Sequence, residues 1–257
     1  MTTPLVRLEN VGLRLAEGRD ILSSINWVIN EKESWVLFGR NGAGKTRLLE
    51  IISGYRFPSV GGVWRFGEAP GTTDLRETRK RIGYVSTLLQ EKFYPHELVR
   101  NVVASGCFAS VGLYEEPSAE VFKRSDELLE IAGLAGRGDD PFGILSDGER
   151  QKVITIRAII NKPSLLILDE AAKGLDLAAR EDLLALIAKI SGRLSLIYVT
   201  HHVEEITPVF GSIFILQRGN CIFQGDVVEG ITDNLLSKLF ERPVHVESRR
   251  GRYYAFL

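Results

Sequence analysis

The sequence is poor in cysteine, in long apolar runs and in charge of one sign. Cys107 and Cys221 are its two cysteines, too few for a disulfide framework or a four-cysteine zinc site. Apolar stretches such as Leu165 to Leu168 and Ile213 to Leu216 fall far short of the roughly 18 residues that a membrane-spanning helix needs. The opening Met1-Thr-Thr-Pro-Leu-Val-Arg7 has no charged segment leading into an apolar one, so nothing directs secretion. With 32 Lys+Arg against 33 Asp+Glu the formal net charge is -1, which leaves no basic excess for nucleic acid. Repeats and low-complexity runs are missing too. What remains is an ordinary globular composition, 44% hydrophobic and 25% charged over 257 residues. That length suits one large α/β domain or one domain carrying an inserted lobe. A cytosol-facing protein is expected, one that serves a membrane only through a partner.

Short continuous apolar runs set the architecture. Ser34 to Gly39, Leu165 to Leu168, Leu194 to Thr200 and Ile213 to Leu216 read as buried strands, and helical stretches alternate with them. This pattern implies a mainly parallel sheet covered on both faces. Ligands of such sheets bind beyond the carboxyl ends of the strands, where Gly39, Asp169 and His201 all fall. Residues 5–30 and 60–66 alternate as antiparallel strands of the sheet's edge. From about Gln90 to Arg157 the texture is helical, clearest over Glu120 to Leu134, and reads as an inserted lobe. Gly219 to Leu257 reads as a hairpin, a helix over Asp233 to Phe240, and a strand pair turning at Arg249-Arg-Gly-Arg252. The expected boundaries are a core of 1–89 and 157–230, a helical lobe of 90–156 and a C-terminal extension of 231–257.

Gly39-Arg40-Asn41-Gly42-Ala43-Gly44-Lys45-Thr46 fits G-x-x-x-x-G-K-[ST] between a strand and a helix. Its glycines let successive backbone N–H groups turn toward a β-phosphate at the positive end of the following helix. Lys45 places a charge on the β/γ oxygens and the Thr46 hydroxyl is placed to ligate Mg²⁺; the nucleotide-binding stretch runs on through Arg47. The spacing fails the dinucleotide fingerprint G-x-G-x-x-G. Asn161-Lys-Pro-Ser164 fails the guanine motif at its last position. An NTP site is expected. Asp169, closing a buried strand, is placed to hold Mg²⁺, and Glu170 to polarise the water that attacks the γ-phosphate.

Leu145-Ser146-Asp147-Gly148-Glu149 opens an apolar-periodic helix and lies upstream of Asp169; Ser146 and Glu149 also form a capping box. Together with the phosphate loop, this order of motifs resembles the ATP-binding subunits of ABC transporters, whose signature reads Leu-Ser-Gly-Gly-Gln. The resemblance spans essentially the whole chain. It implies a P-loop NTPase of the ABC ATPase fold and a head-to-tail homodimer sandwiching two ATP molecules. The Ser146 hydroxyl, the Gly148 backbone and the helix N-terminus over Asp147 to Glu149 would then bind the γ-phosphate held by the other copy, with the Asp147 side chain pointing away from it. It implies Glu170 as general base, Asp169 as the Mg²⁺ partner, Asp176 of Gly174-Leu-Asp176 in the loop crossing the dimer, and His201 as the γ-phosphate switch. His201 and His202 are not expected to share a metal, because neighbours in an extended chain point to opposite sides.

Four positions depart from that family pattern. Leu15 stands where an aromatic usually stacks on adenine, so a Leu15→Tyr variant is expected to bind ATP more tightly by about 1–3 kcal/mol in a nucleotide titration. Thr87 stands where a Gln usually supports the Mg²⁺-linked water, and Gln90 three residues on is the alternative. Asp147 replaces a glycine, and Ala171-Ala172 replaces Pro-Thr. Asn101 to Tyr114, and the tail through Leu236, Phe240, Pro243 and Arg252-Tyr-Tyr, resemble the subgroup serving iron-siderophore, haem, cobalamin or molybdate uptake. The expected function is ATP hydrolysis driving import through separate membrane-spanning permease subunits, at the cytoplasmic face of the inner membrane. The alternative is a soluble ABC-type ATPase in regulation or repair.

Overall fold

The computed structural model describes the chain except for residues 1–2, 17, 73, 109–111, 114 and 115, and gives the backbone alone at 87 and 88. Up to residue 80 the elements are β1 (Val6–Arg14), β2 (Asp20–Ile29), β3 (Ser34–Phe38), α1 (Lys45–Ile52), β4 (Val60–Arg65) and α2 (Leu75–Lys80). Then follow β5 (Ile82–Ser86), α3 (Val99–Ala104), α4 (Ala119–Ile131), α5 (Asp147–Ile159), β6 (Leu165–Asp169) and α6 (Leu177–Ser191). The last are β7 (Ser195–Thr200), β8 (Ser212–Gln217), β9 (Asn220–Asp226), α7 (Val227–Gly230), α8 (Asp233–Phe240), β10 (His245–Arg249) and β11 (Arg252–Phe256). They gather into two compact units, one of residues 1–79 with 195–257 and one of 80–194.

In the first unit β3 lies parallel to β7 on one side and to β8 on the other, and β9 closes the edge antiparallel to β8. Every residue of β7 is buried, as are Trp35 to Phe38 of β3. A strand hidden on both faces has no need of polar alternation. The alternating segments expected at the edge of this sheet instead build one of their own, ordered β2-β1-β4 and antiparallel throughout. β1 is hydrogen-bonded on both sides there, while β9 takes the edge of the parallel strands. The C-terminal pair β10–β11 turns at Arg250-Gly251.

Helix α1 is held at its tail by a residue far along the chain. Gly54, at φ +73°, follows the C-cap Ser53 and turns the chain away. The buried Arg65 guanidinium then donates from Nε to the Ile52 carbonyl at 2.7 Å and from Nη2 to that of Ile51. Both acceptors belong to the last turn, where carbonyls lack helical partners and the dipole favours a cation. Burial pulls the Arg65 pKa down to about 10. An Arg65→Ala change removes the donor from the Ile52 carbonyl and leaves that of Ile51 to the Gly54 N–H, and is expected to destabilise the fold by about 2 kcal/mol in denaturant unfolding.

In the second unit β5 and β6 pair in parallel, and α5 carries the buried stripe Val153, Ile154, Ile156 and Ile159. The amphipathic stretch of the lobe becomes α4, capped by the Ser118 hydroxyl. The Asn101–Tyr114 segment lies partly outside the described residues.

Candidate nucleotide site

The phosphate loop leaves the carboxyl end of β3 and enters α1 at Lys45. Gly44, the N-cap, sits at φ +106° with the Ile21 carbonyl 3.1 Å from where a Cβ would stand. Both the backbone sign and the crowding require glycine there. Lys45 is buried, and its Nζ donates to the Gly39 carbonyl at 2.6 Å and the Arg40 carbonyl at 3.2 Å. The ammonium is thus folded back over the loop's own carbonyls. Asn41, Gly42 and Thr46 are exposed, Ala43 is buried, and Arg47 pairs with Glu50 at 2.6 Å.

β7 ends level with β3, Thr200 standing opposite Phe38. His201 therefore emerges beside the start of the phosphate loop, from the neighbouring strand of the same unit. The turn that carries it is pinned from beneath. The buried Glu205 carboxylate accepts from Tyr198 Oη at 2.9 Å and Thr200 Oγ1 at 2.5 Å, and Thr200 Oγ1 accepts from the His202 N–H at 3.0 Å. Spacing alone did not reveal Glu205; a carboxylate four residues past the histidine reads as surface charge. The two imidazoles lie with ring centres 4.0 Å apart and planes 39° apart. The expectation that they point to opposite sides is therefore wrong, because β7 stops at Thr200 and the alternation of a strand stops with it. Among the described residues no group of three or more His, Cys, Asp or Glu is gathered as for a metal ion.

In the other unit Asp169 closes β6 opposite Ser86 of β5. Tyr84 Oη, on β5, donates to Asp169 Oδ2 at 3.0 Å and so fixes the carboxylate's orientation. The next residue, Glu170, has φ +50°, a left-handed conformation that costs a non-glycine residue energy and recurs where side chains are aimed for function. Its carboxylate stands 3.4 Å from Lys173 Nζ. Ala171 and Ala172 are buried, which accounts for small apolar residues there. Asp176 caps α6, its carboxylate accepting from the Ala179 N–H at 2.8 Å.

The capping box of α5 is complete. Ser146 donates its N–H at 2.8 Å and its hydroxyl at 2.9 Å to Glu149 Oε2, while the Glu149 N–H donates to Ser146 Oγ at 3.3 Å. The Ser146 backbone N–H, joined by its hydroxyl and by Arg137, holds the Glu149 carboxyl below its usual range. Gly148 is buried, with Ala179 Cβ 2.6 Å from the place of a side chain. Asp147 is exposed and faces Arg150 at 3.4 Å. Gln90 lies in a 3-10 turn over Thr87–Lys92, and its side-chain amide donates to Gln151 Oε1 of α5. The Thr87 side chain lies outside the described residues.

A family model described as ABC transporter matches residues 22–173, a span that holds the phosphate loop, the Ser146 cap and the Asp169-Glu170 strand end. The chain belongs to the ABC transporter ATP-binding family. This cassette is 44% identical over 246 residues to YlmA, an ABC transporter ATP-binding protein of Bacillus subtilis, across 94% of this chain and 93% of that one. It is 31% identical over 238 residues to a methionine import ATP-binding protein of Paraburkholderia xenovorans, covering 88% and 59%. Among solved structures it resembles CbiO1 of Clostridium perfringens, part of an ABC transporter complex, with TM-score 0.80, 24% identity and coverage of 91% and 93%. It also resembles a bacterial ABC transporter cassette solved as a dimer, with TM-score 0.72, 25% identity and coverage of 86% and 98%. The cassette is an ATPase, converting ATP and water to ADP and phosphate as the ATP-binding subunit that powers a transporter. No helix of the described residues is long and apolar enough to cross a membrane.

Proposed function

We propose that two copies of this cassette close head to tail over two ATP molecules, and that this closure drives import through separate membrane-spanning subunits. The observation that carries the reading is the division of parts. The phosphate loop and His201 share one compact unit, while Ser146, Asp169, Glu170 and Asp176 belong to the other. Within a copy, Lys45 and the loop N–H groups bind the β- and γ-phosphates and orient them for in-line attack. Glu170 accepts the proton of the attacking water, and the attack displaces ADP as the water oxygen bonds to the γ-phosphorus. His201 donates to a γ-oxygen. The other copy's α5 start, through the N–H groups of Asp147 and Gly148 and the Ser146 hydroxyl once it turns from Glu149, stabilises the charge that collects on the departing phosphoryl group.

Mg²⁺ fits this donor set. Thr46 Oγ1 and Asp169 offer hard oxygens, and a single carboxylate beside phosphate oxygens suits an ion that keeps much of its water. Thr87 or Gln90 would support that shell, with Gln90 first having to leave Gln151. When bound, the ion neutralises charge on the β- and γ-phosphates. The core of 1–89 and 157–230, the helical lobe of 90–156 and the extension of 231–257 form one cassette, on the cytoplasmic face of the membrane. The import direction rests on the resemblance of the 101–114 and tail segments to the uptake subgroup, which takes metal complexes or oxyanions, and on the methionine-import relative. Purifying the tagged cassette from native membranes tests the reading. A stoichiometric membrane-spanning partner is expected, whereas recovery of the cassette alone would support a soluble regulatory or repair ATPase.

A further inference from the structure

The start of α5 is a strange place to receive an anion, because two of its first three residues are acids. Asp147 stands where the family signature has glycine, and Glu149 where it has glutamine. Each is matched by an arginine. Arg150 answers Asp147 at 3.4 Å and also donates to the Gly143 carbonyl at 3.0 Å. Arg137, twelve residues upstream of Glu149, donates from Nη1 to Glu149 Oε1 at 2.9 Å and from Nε to Asp140. The geometry around Glu149 is the more telling of the two. Its Oε1 goes to Arg137, and its Oε2 takes both the N–H and the hydroxyl of Ser146. One carboxylate therefore bridges a guanidinium to the serine of the signature. The Arg137 and Glu149 side chains are about one-third and one-quarter exposed, so an unbalanced charge there would act through a medium less screening than bulk water.

We propose that Arg137 is a positioning residue for Ser146. Through Glu149 it anchors the Ser146 backbone N–H and cancels the carboxylate's charge, so that the first turn of α5, with the serine hydroxyl turned from Glu149, can receive the γ-phosphate held by a second copy. The proposal rests on the reading of Ser146 to Glu149 as the partner-facing phosphate site. Without Arg137, Glu149 would stay ionised with Oε1 unpaired, and its charge would oppose both the incoming phosphate and the helix dipole that attracts it. With glutamine at 149 the serine keeps an acceptor and no charge needs cancelling. The effect of removing Arg137 is therefore expected to depend on whether residue 149 is an acid.

The test uses the full chain carrying E170Q, so that ATP drives dimerisation without being consumed. Light scattering follows dimer formation, and equilibrium binding follows ATP at the phosphate loop of the single copy. R137A is expected to raise the ATP concentration for half-maximal dimerisation about tenfold while leaving single-copy binding unchanged. In the E149Q background the same R137A change is expected to shift it less than about twofold, a factor smaller than one charged hydrogen bond would give. Equal losses in both backgrounds, which a purely structural staple would produce, overturn the proposal, as does no loss in either. S146A separates it from the reading beneath. If S146A dimerises normally, that reading fails and takes the proposal with it; if S146A is impaired and R137A is not, the proposal alone fails. Should R137A lose ATP binding altogether, R137K and R137Q take its place, and the proposal requires lysine to retain dimerisation and glutamine to lose it.

Discussion

Glu170→Gln is expected to lower ATP hydrolysis by about 10²–10⁴-fold, the range for a positioned base, with nucleotide affinity at the phosphate loop unchanged. The amide keeps the size of the carboxylate and tolerates the same backbone, so the φ of +50° at this position is undisturbed. What it loses is the ability to take a proton from water. ATP would then be bound and not spent, and the closed pair of cassettes would accumulate. Phosphate release under saturating ATP, with size-exclusion chromatography in ATP and in ADP, reads both halves of the expectation. Turnover within tenfold of the unaltered protein would show that the base lies elsewhere.

Lys45→Ala is expected to weaken ATP binding by at least about 100-fold, equivalent to two charge-assisted hydrogen bonds of roughly 1.5–3 kcal/mol each. The buried ammonium bonds the Gly39 and Arg40 carbonyls, so its removal has two consequences. The phosphates lose their point charge, and two loop carbonyls lose the donor that holds the concavity in shape. Lys45→Arg is no substitute, because the planar guanidinium is too broad for a pocket sized to a compact ammonium. Isothermal titration with ATP separates this effect from that at Glu170, where affinity stays and turnover falls.

Much of this was legible in the residues because it is written locally. The Gly39–Thr46 spacing, the apolar run closing in Asp169-Glu170 and the Ser146–Glu149 cap each depend on neighbours in sequence, and each appears where expected. The helix over Asp233–Phe240 and the strand pair turning within Arg249-Arg-Gly-Arg252 also stand where expected. What stayed hidden was long-range. Nothing in the alternation of β1 says whether β4 or a parallel strand will be its second partner. Arg65 reads as an ordinary strand-end charge until β4 brings it to the last turn of α1. Arg137 and Glu205 carry no local signal of their roles; the first is drawn to Glu149 and the second is buried by its hydroxyl partners. The paired imidazoles escape the rule for extended chain because both lie past the end of β7 at Thr200.

The left-handed backbone at Glu170 has a bearing on how such a chain can change over generations. Asparagine or glycine would sit there with less strain, so random drift toward sturdier folding pushes against the acid at that spot. On the proposed role of Glu170 as the base, a lineage that keeps glutamate there trades some robustness for fuel consumption. Copies freed from that duty would be the ones in which the position relaxes first.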